Sequence, residues 1–325
     1  MFDFFGAIGS AIMTPLYYIV SVVLVGFHSL FSLVLPKDGG AAWVLSIIGL
    51  TLVIRAALIP LFVKQIKSSR NMQLLQPKVR ELQKKYGHDR ERLAQETMNL
   101  YKDAGTNPFA SCLPILVQMP IFLALFRMLD QASRNGEGRG VLSDELASQF
   151  GRAEIFGVVP ISETFWENAT GGGSIAVIIV AIVLVLAMTG TTFMTQRQLM
   201  AKNMPAEALS GPYAQQQKML LYVLPLVFGI SGVAFPIGVL IYWTVSNLWT
   251  MGQQFYVIRN NPAPGTPAEK AKQERDAAKE ARRRARRGEP EPVATEVVEV
   301  QPESSTKPSA RQQPKRKTRS QRKKS

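Results

Sequence analysis

Four stretches of apolar residues follow one another after residue 40, and polar segments separate them. They cover residues 43–63, 108–129, 174–194 and 219–258. A membrane-spanning helix needs about 20 consecutive, predominantly apolar residues. Because soluble domains rarely repeat such runs, the pattern predicts an all-α integral membrane protein.

The last stretch is too long for a single span at a rise of about 1.5 Å per residue. Gly232 and Pro236 interrupt it, so we predict two helices, about 219–235 and 237–258, joined by a tight turn. The first of these is near the lower length limit for crossing and would require local thinning of the bilayer. The core, residues 43–258, then has five membrane-spanning helices.

The N-terminal segment, residues 1–42, contains a further apolar run over about 15–35 that is also long enough to span. Its polar residues share one helical face and are Ser21, His28, Ser29 and Ser32. A helix with one weakly polar face can lie at the membrane surface. We therefore expect an interfacial or partly inserted helix, with a sixth span as the alternative.

A charged segment, residues 64–106, lies between the first two spans and carries ten Lys or Arg. Leu75, Val79, Leu82 and Tyr86 recur at the spacing of one helix face. Gly87 marks a turn, and a second helix is expected over about 90–104. The pattern predicts a helical hairpin, which the excess of basic residues places in the cytoplasm.

The formal net charge is +14, although 46% of the 325 residues are hydrophobic. Residues 259–325 hold 19 Lys or Arg against 9 Asp or Glu, which predicts a disordered cytoplasmic tail. Within it, residues 268–287 alternate Ala with charged residues, a pattern that could form a transient helix. Such basic runs bind phosphate-rich surfaces, either ribosomal RNA or anionic lipid. The clustered bases are Arg282, Arg283, Arg284, Arg286, Arg287, Lys315, Arg316 and Lys317.

No catalytic or metal-binding pattern is recognisable. The two histidines, His28 and His88, lie far apart, and no Asp or Glu occurs in the four apolar stretches. Proton relays and cation sites of the usual transporter kind need carboxylates inside the membrane, and these stretches contain none. The sequence predicts neither an enzyme nor a cofactor.

Arg55 lies within the first apolar stretch, where a charged side chain costs about 2.5–3.5 kcal/mol on insertion scales. Its side chain tilts towards the helix N-terminus, which disfavours snorkelling to the nearer, cytoplasmic face. We therefore expect a water-filled groove that opens to the cytoplasm, with Arg55 at its floor. A small anion channel or transporter with Arg55 as the selectivity charge is the alternative.

Further polar or amphipathic residues in the apolar helices are candidates for the same groove. They are Thr51, Gln118, Tyr242, Trp243 and Asn247. For Gln118 and Asn247, hydrogen bonding between helices is the alternative role.

Several of these residues belong to long ordered motifs. The motifs are TLVIRAALIPL at 51–61, Gln76-Pro77, GTNPF at 105–109, CLPILVQMPIF at 112–122 and PIGVLIYWTVSN at 236–247. Together they strongly resemble the YidC-type membrane protein insertases over about residues 15–258. The likeness is to the short bacterial form, which lacks a large extracytoplasmic domain.

The resemblance implies a five-helix core, a cytoplasmic hairpin and a hydrophilic groove in the bacterial cytoplasmic membrane. It also implies an insertase and folding chaperone for client membrane proteins, acting alone or beside the Sec translocon. Arg55 matches the family's groove arginine and Gln118 a groove-lining position. Thr51 and Trp243 match positions that contact the incoming helix, although the family often has Tyr in place of Trp243. A basic tail in this family can contact the ribosome.

Overall fold

The structure, a computed structural model, describes residues 2–106, 113–203 and 212–287. The chain divides into two compact units, residues 1–276 and 277–325. The helices are α1 (Phe2–Phe31), α2 (Gly40–Ala57), α3 (Ile59–Leu74), α4 (Gln76–Tyr86), α5 (Arg90–Asp103), α6 (Leu113–Asn135), α7 (Asp144–Arg152), α8 (Phe165–Gly171), α9 (Ile175–Asn203), α10 (Pro212–Gly232), α11 (Ile237–Asn260) and α12 (Pro267–Arg287). Two short strands, β1 (Glu154–Ile155) and β2 (Val159–Pro160), pair antiparallel.

Three helical segments in the described residues are long and apolar enough to cross a membrane: Met13–Phe31, Gly40–Ala57 and Ile175–Asn203. Helices α6, α10 and α11 occupy the other predicted stretches. Helix α10 ends at Gly232 and α11 begins at Ile237, so two helices cover the last stretch in the structure.

The first predicted span, 43–63, is divided in the structure. Helix α2 ends at Ala57 and α3 begins at Ile59, with Leu58 between them. Pro60 has no N–H and its ring crowds the carbonyl four residues earlier, which breaks a helix at such a point. The backbone N–H of Leu58 still donates to the Ile54 carbonyl at 3.1 Å. The last residues of the stretch therefore begin α3, which leads into the hairpin.

Helix α1 turns part of its polar stripe towards the protein. Ser21 and His28 are buried, whereas Ser29 of the same stripe and the apolar Tyr18 and Ile19 are exposed. The His28 ring stacks on Trp43 with centroids 3.7 Å apart. The helix therefore packs against α2 and leaves a mainly apolar face uncovered.

Residues 136–173, which we call the cap, fold over one end of the helices. They contain α7, the two strands and α8, and bury Leu142, Phe150 and Ile161 in the main core. Phe150 packs edge-on against Trp43, with ring centroids 5.2 Å apart. The sequence indicated only a polar segment between two apolar stretches here.

The cap also holds the turn between α10 and α11 by backbone hydrogen bonds. Trp166 N–H donates to the Val233 carbonyl at 3.1 Å, and Ile237 N–H donates to the Glu163 carbonyl at 3.0 Å. We call this the cap end of the bundle, and the opposite end, where α3 to α5 project, the hairpin end.

Helices α4 and α5 form the predicted hairpin, with the turn at Gly87 between them. The Asp89 side chain caps α5 by accepting from Arg92 N–H at 3.0 Å. The apolar stripes remain half-buried, and α5 has no fully buried residue.

In the described residues that follow α11, the first part of the predicted tail is folded. Ala263 N–H donates to the Asn203 side chain at 2.8 Å, and Ala263 and Thr266 are buried. Helix α12 then runs to Arg287. Composition suggested disorder, but the small residues between 261 and 268 pack closely where α9 ends.

Candidate functional groove

Arg55 lies near the end of α2, and its guanidinium reaches across to α11. Arg55 Nε donates to Ser246 Oγ at 3.1 Å, and Nη2 contacts the same oxygen. Ser246 is buried and Arg55 is half-buried. Among the described residues no carboxylate pairs with Arg55, so its only recorded partner is a neutral hydroxyl.

Arg55 lines a groove of about 550 Å³ between α2, α3, α6, α10 and α11. The lining side chains are Arg55, Leu58, Leu61, Phe62, Gln65, Gln118, Met119, Phe122, Phe228, Tyr242, Trp243, Ser246, Asn247 and Gln253. Most polar groups come from α2 and α11, with one glutamine each from α3 and α6, and most apolar side chains come from α3, α6 and α10. The groove can therefore hold water or a polar segment beside an apolar wall.

Trp243 is the centre of the aromatic wall. Its ring lies 5.0 Å from Phe228 of α10 and 5.3 Å from Phe122 of α6, both in edge-to-face geometry. Phe235, in the turn before α11, lies 5.6 Å away. Such pairs stabilise by about 0.5–1.5 kcal/mol beyond burial, so Trp243 links three elements around the groove.

The other predicted groove residues differ in their burial and in their hydrogen bonds. Asn247 Nδ2 donates to Thr192 Oγ1 at 3.0 Å, which joins α11 to α9 while the side chain still lines the groove. Gln118 is half-exposed and forms no hydrogen bond within the described part of the chain. Thr51 is buried and donates to the Ile47 carbonyl at 2.7 Å, so it does not join the lining.

The groove is closed towards the cap. One turn beyond the lining residues, Leu50 of α2, Leu125 of α6 and Leu240 of α11 are fully buried. Towards the hairpin end, Leu116 and Met119 of α6 are exposed. Within the described residues the groove is therefore open at one end and sealed by apolar side chains at the other.

Sequence reasoning left several lining residues out of the predicted groove, among them Phe122, Phe228 and Ser246, although Ser246 stands out as a polar residue of the last apolar stretch. For two of these residues the sequence spacing was informative. Phe122 follows Gln118 by four residues and Ser246 follows Tyr242 by four, which places each pair on one helix face. Arg127, a second arginine within the stretch 108–129, was also overlooked; it is exposed and does not line the groove.

The predicted basic cluster of the tail falls partly within α12. Arg282, Arg283, Arg284, Arg286 and Arg287 form its last turns. Arg284 pairs with Glu280 at 2.7 Å, one helical turn earlier. Lys315, Arg316 and Lys317 lie outside the described residues.

The sequence model of the family described as "60Kd inner membrane protein" matches residues 34–264. A Streptomyces avermitilis protein named "Membrane protein insertase YidC" is 48% identical over 261 residues, which cover 79% of this chain and 60% of that protein. A Tropheryma whipplei protein of the same name is 37% identical over 301 residues, covering 89% of this chain and 96% of its own length.

A solved structure described as "Active YidC insertase crystal structure with the first transmembrane domain resolved" overlaps with a TM-score of 0.45. The identity is 22%, over 73% of this chain and 46% of that one. This overlap is too loose to transfer residue roles.

Proposed function

We propose that this chain, which belongs to the family of YidC membrane protein insertases, inserts client proteins into the bacterial cytoplasmic membrane. A short polar segment of the client enters the groove beside Arg55. The client's hydrophobic helix then moves sideways into lipid along the apolar wall. The observation that carries this proposal is a half-buried arginine without a carboxylate partner in the described residues, in a groove open at one end.

Arg55 acts by lowering the cost of bringing polar or acidic groups partway into the membrane. Its guanidinium offers several N–H donors, and Ser246 Oγ engages only Nε and Nη2. The remaining donors can bind water at rest and a client carboxylate during insertion. Because the groove is narrow and partly apolar, such contacts are stronger there than in bulk water.

We propose the following membrane arrangement. The core has five spans, in which α2 and α3 together form the first and α6, α9, α10 and α11 form the others. The hairpin and the C-terminus lie in the cytoplasm, where basic loops are retained. The cap lies on the outer side. The outward-facing apolar residues of α1 support a further span over Met13–Phe31.

The anion-channel alternative lacks support. A channel needs a continuous polar path, whereas buried leucines close the groove towards the cap in the described residues. A one-ended groove suits a segment that enters from one side and leaves laterally.

The test is insertion by purified protein in proteoliposomes, using clients with a short acidic outer segment. Removing the charge by Arg55→Ala should slow insertion about tenfold, which corresponds to about 1.4 kcal/mol of lost transition-state stabilisation. Arg127→Ala is the matched control, since Arg127 is exposed and outside the groove. Equal insertion by wild type and Arg55→Ala for every client would reject the role. Anion flux through the same liposomes that disappears with Arg55→Ala would instead favour the channel.

We further propose that the basic end of the tail binds the ribosome, and that the insertase acts alone or beside the Sec translocon. Replacing the five clustered arginines in the last turns of α12, residues 282–284, 286 and 287, by glutamine should weaken ribosome co-sedimentation and flatten its salt dependence. Charge replacement is cleaner than truncation after Asn260, which would also remove the contact between Ala263 and Asn203. Lys270→Gln with Lys272→Gln is the control. If the arginine-to-glutamine variant still binds ribosomes but no longer binds anionic vesicles, the binding partner of the tail is lipid and not the ribosome.

A further inference from the structure

Phe156 occupies an unfavourable backbone conformation at the tip of the cap's β-hairpin. Its φ is 55°, the only positive φ among the described non-glycine residues, and Gly157 follows with φ 69°. Val158 N–H donates to the Ile155 carbonyl at 3.2 Å and closes the turn. Two successive positive φ angles define a hairpin turn that Asn-Gly or Asp-Gly fills most easily, whereas a bulky residue is strained there.

The strained side chain projects away from the protein. Phe156 is 91% exposed, and Val158 beside it is 56% exposed. The tip, residues 155–159, carries no charge. Folding alone gains nothing from an exposed phenylalanine in this conformation, and strained residues of this kind cluster at functional sites.

The hairpin is fixed at the place where two apolar helices end. A Cβ added to Gly40, the first residue of α2, would lie 2.4 Å from the Glu154 carbonyl oxygen, so β1 touches the start of that helix. Helix α1 ends at Phe31, and the connection to α2 exposes Leu33 and Val34 by 79% and 87%. The exposed apolar side chains therefore lie beside the ends of two helices that are long and apolar enough to cross a membrane.

We propose that the Phe156 tip is a membrane-surface anchor, with Phe156 and Val158 inserted at the boundary between lipid head groups and acyl chains of the outer leaflet. Aromatic side chains are favoured at this depth. Contact with lipid offsets the backbone strain and holds the cap, and with it the α10–α11 turn, at a fixed height relative to the bilayer. The anchor rests on the membrane arrangement proposed above, but it does not require the insertase activity.

A lipid surface fits these observations better than a second protein. A stable protein interface uses about 20–30 residues a side, whereas here a few apolar side chains surround an uncharged turn. They also lie next to the ends of helices that are themselves apolar enough to be in lipid.

The first test measures depth. With the single cysteine removed by Cys112→Ala, Phe156→Cys is labelled with an environment-sensitive fluorophore in proteoliposomes. Lipids that carry a nitroxide near the head-group end of the acyl chain should quench most of the emission. The same label at Glu145→Cys, an exposed cap position on α7, should be quenched much less. Equal quenching at both positions, or quenching at neither, would overturn the proposal, and protection of the Phe156 label only at high protein density would assign the tip to a second copy.

The second test separates anchoring from folding and does not depend on labelling. Phe156→Asn suits the positive φ, so it should leave the Tm in detergent unchanged or raise it. In lipid nanodiscs the same substitution should lower the Tm by several degrees, because the membrane contact is lost. A shift of the same sign in both media would show that Phe156 acts only through the turn.

Discussion

The two ends of the helix bundle use the same helices in opposite ways. At the cap end, Trp43 of α2, Leu125 of α6 and Leu240 of α11 are fully buried, and Phe150 of the cap packs against Trp43. At the hairpin end, the same three helices line a groove of about 550 Å³ that contains Arg55 and Gln118. Close packing gives the cap end its rigidity, while the hairpin end leaves polar groups accessible.

This contrast explains how an arginine can reside in an apolar helix. If the hairpin end were packed as the cap end is, Arg55 would lose access to water and keep only the hydroxyl of Ser246. The cost of the buried charge would then rise steeply. The cap end therefore provides stability for an end that must remain open.

The largest expected effect is at the cap end. Trp43 is fully buried between His28 and Phe150, so Trp43→Ala should lower the free energy of unfolding by about 3–5 kcal/mol. Trp243→Ala is the corresponding substitution at the groove. Because Trp243 is half-exposed, this substitution should lower the free energy of unfolding by less. Denaturation in mixed micelles measures both. Equal losses would mean that the two ends are packed alike.

Sequence reasoning was most effective where the signal is local. The helices, the division of the last stretch and the exceptional position of Arg55 follow from residue type and spacing. The cap did not, because it depends on contacts such as Gly238 N–H to the Ile161 carbonyl, which join elements far apart in the chain. The pairing of Arg55 with Ser246, 191 residues later, was missed for the same reason.

The next effect concerns the contact between the cap and α2. In Gly40→Ala the new Cβ would meet the Glu154 carbonyl at 2.4 Å, and a backbone atom cannot easily move. We expect a destabilisation of about 1–3 kcal/mol. Gly26→Ala on α1 is the control, because nothing lies within 4 Å of that position. An unchanged melting temperature for Gly40→Ala would show that the cap is loosely held.

A smaller effect, on client insertion instead of stability, is expected at the floor of the groove. Ser246→Ala removes the hydroxyl that orients Arg55, at a cost of about 1 kcal/mol, or roughly fivefold, in client insertion. Stability should change little, since water can reach the freed guanidinium. Ser46→Ala, which removes a buried hydroxyl bonded to the Ala42 carbonyl at the cap end, should leave insertion unaffected. If Ser246→Ala instead unfolds the protein, Arg55 is not hydrated.

The smallest expected effect is a stabilisation instead of a destabilisation, and it tests whether the hairpin end is open. Gly252 of α11 lies at the hairpin end beside an apolar cavity of about 530 Å³, and a Cβ there would have nothing within 4 Å. Since alanine is the better helix former, Gly252→Ala should stabilise the protein by about 0.5–1 kcal/mol. The measurement is the melting temperature, alongside that of Gly40→Ala. A destabilisation at Gly252 would mean that α3 closes onto α11 in the membrane, and that the hairpin end is more tightly packed than its open cavities indicate.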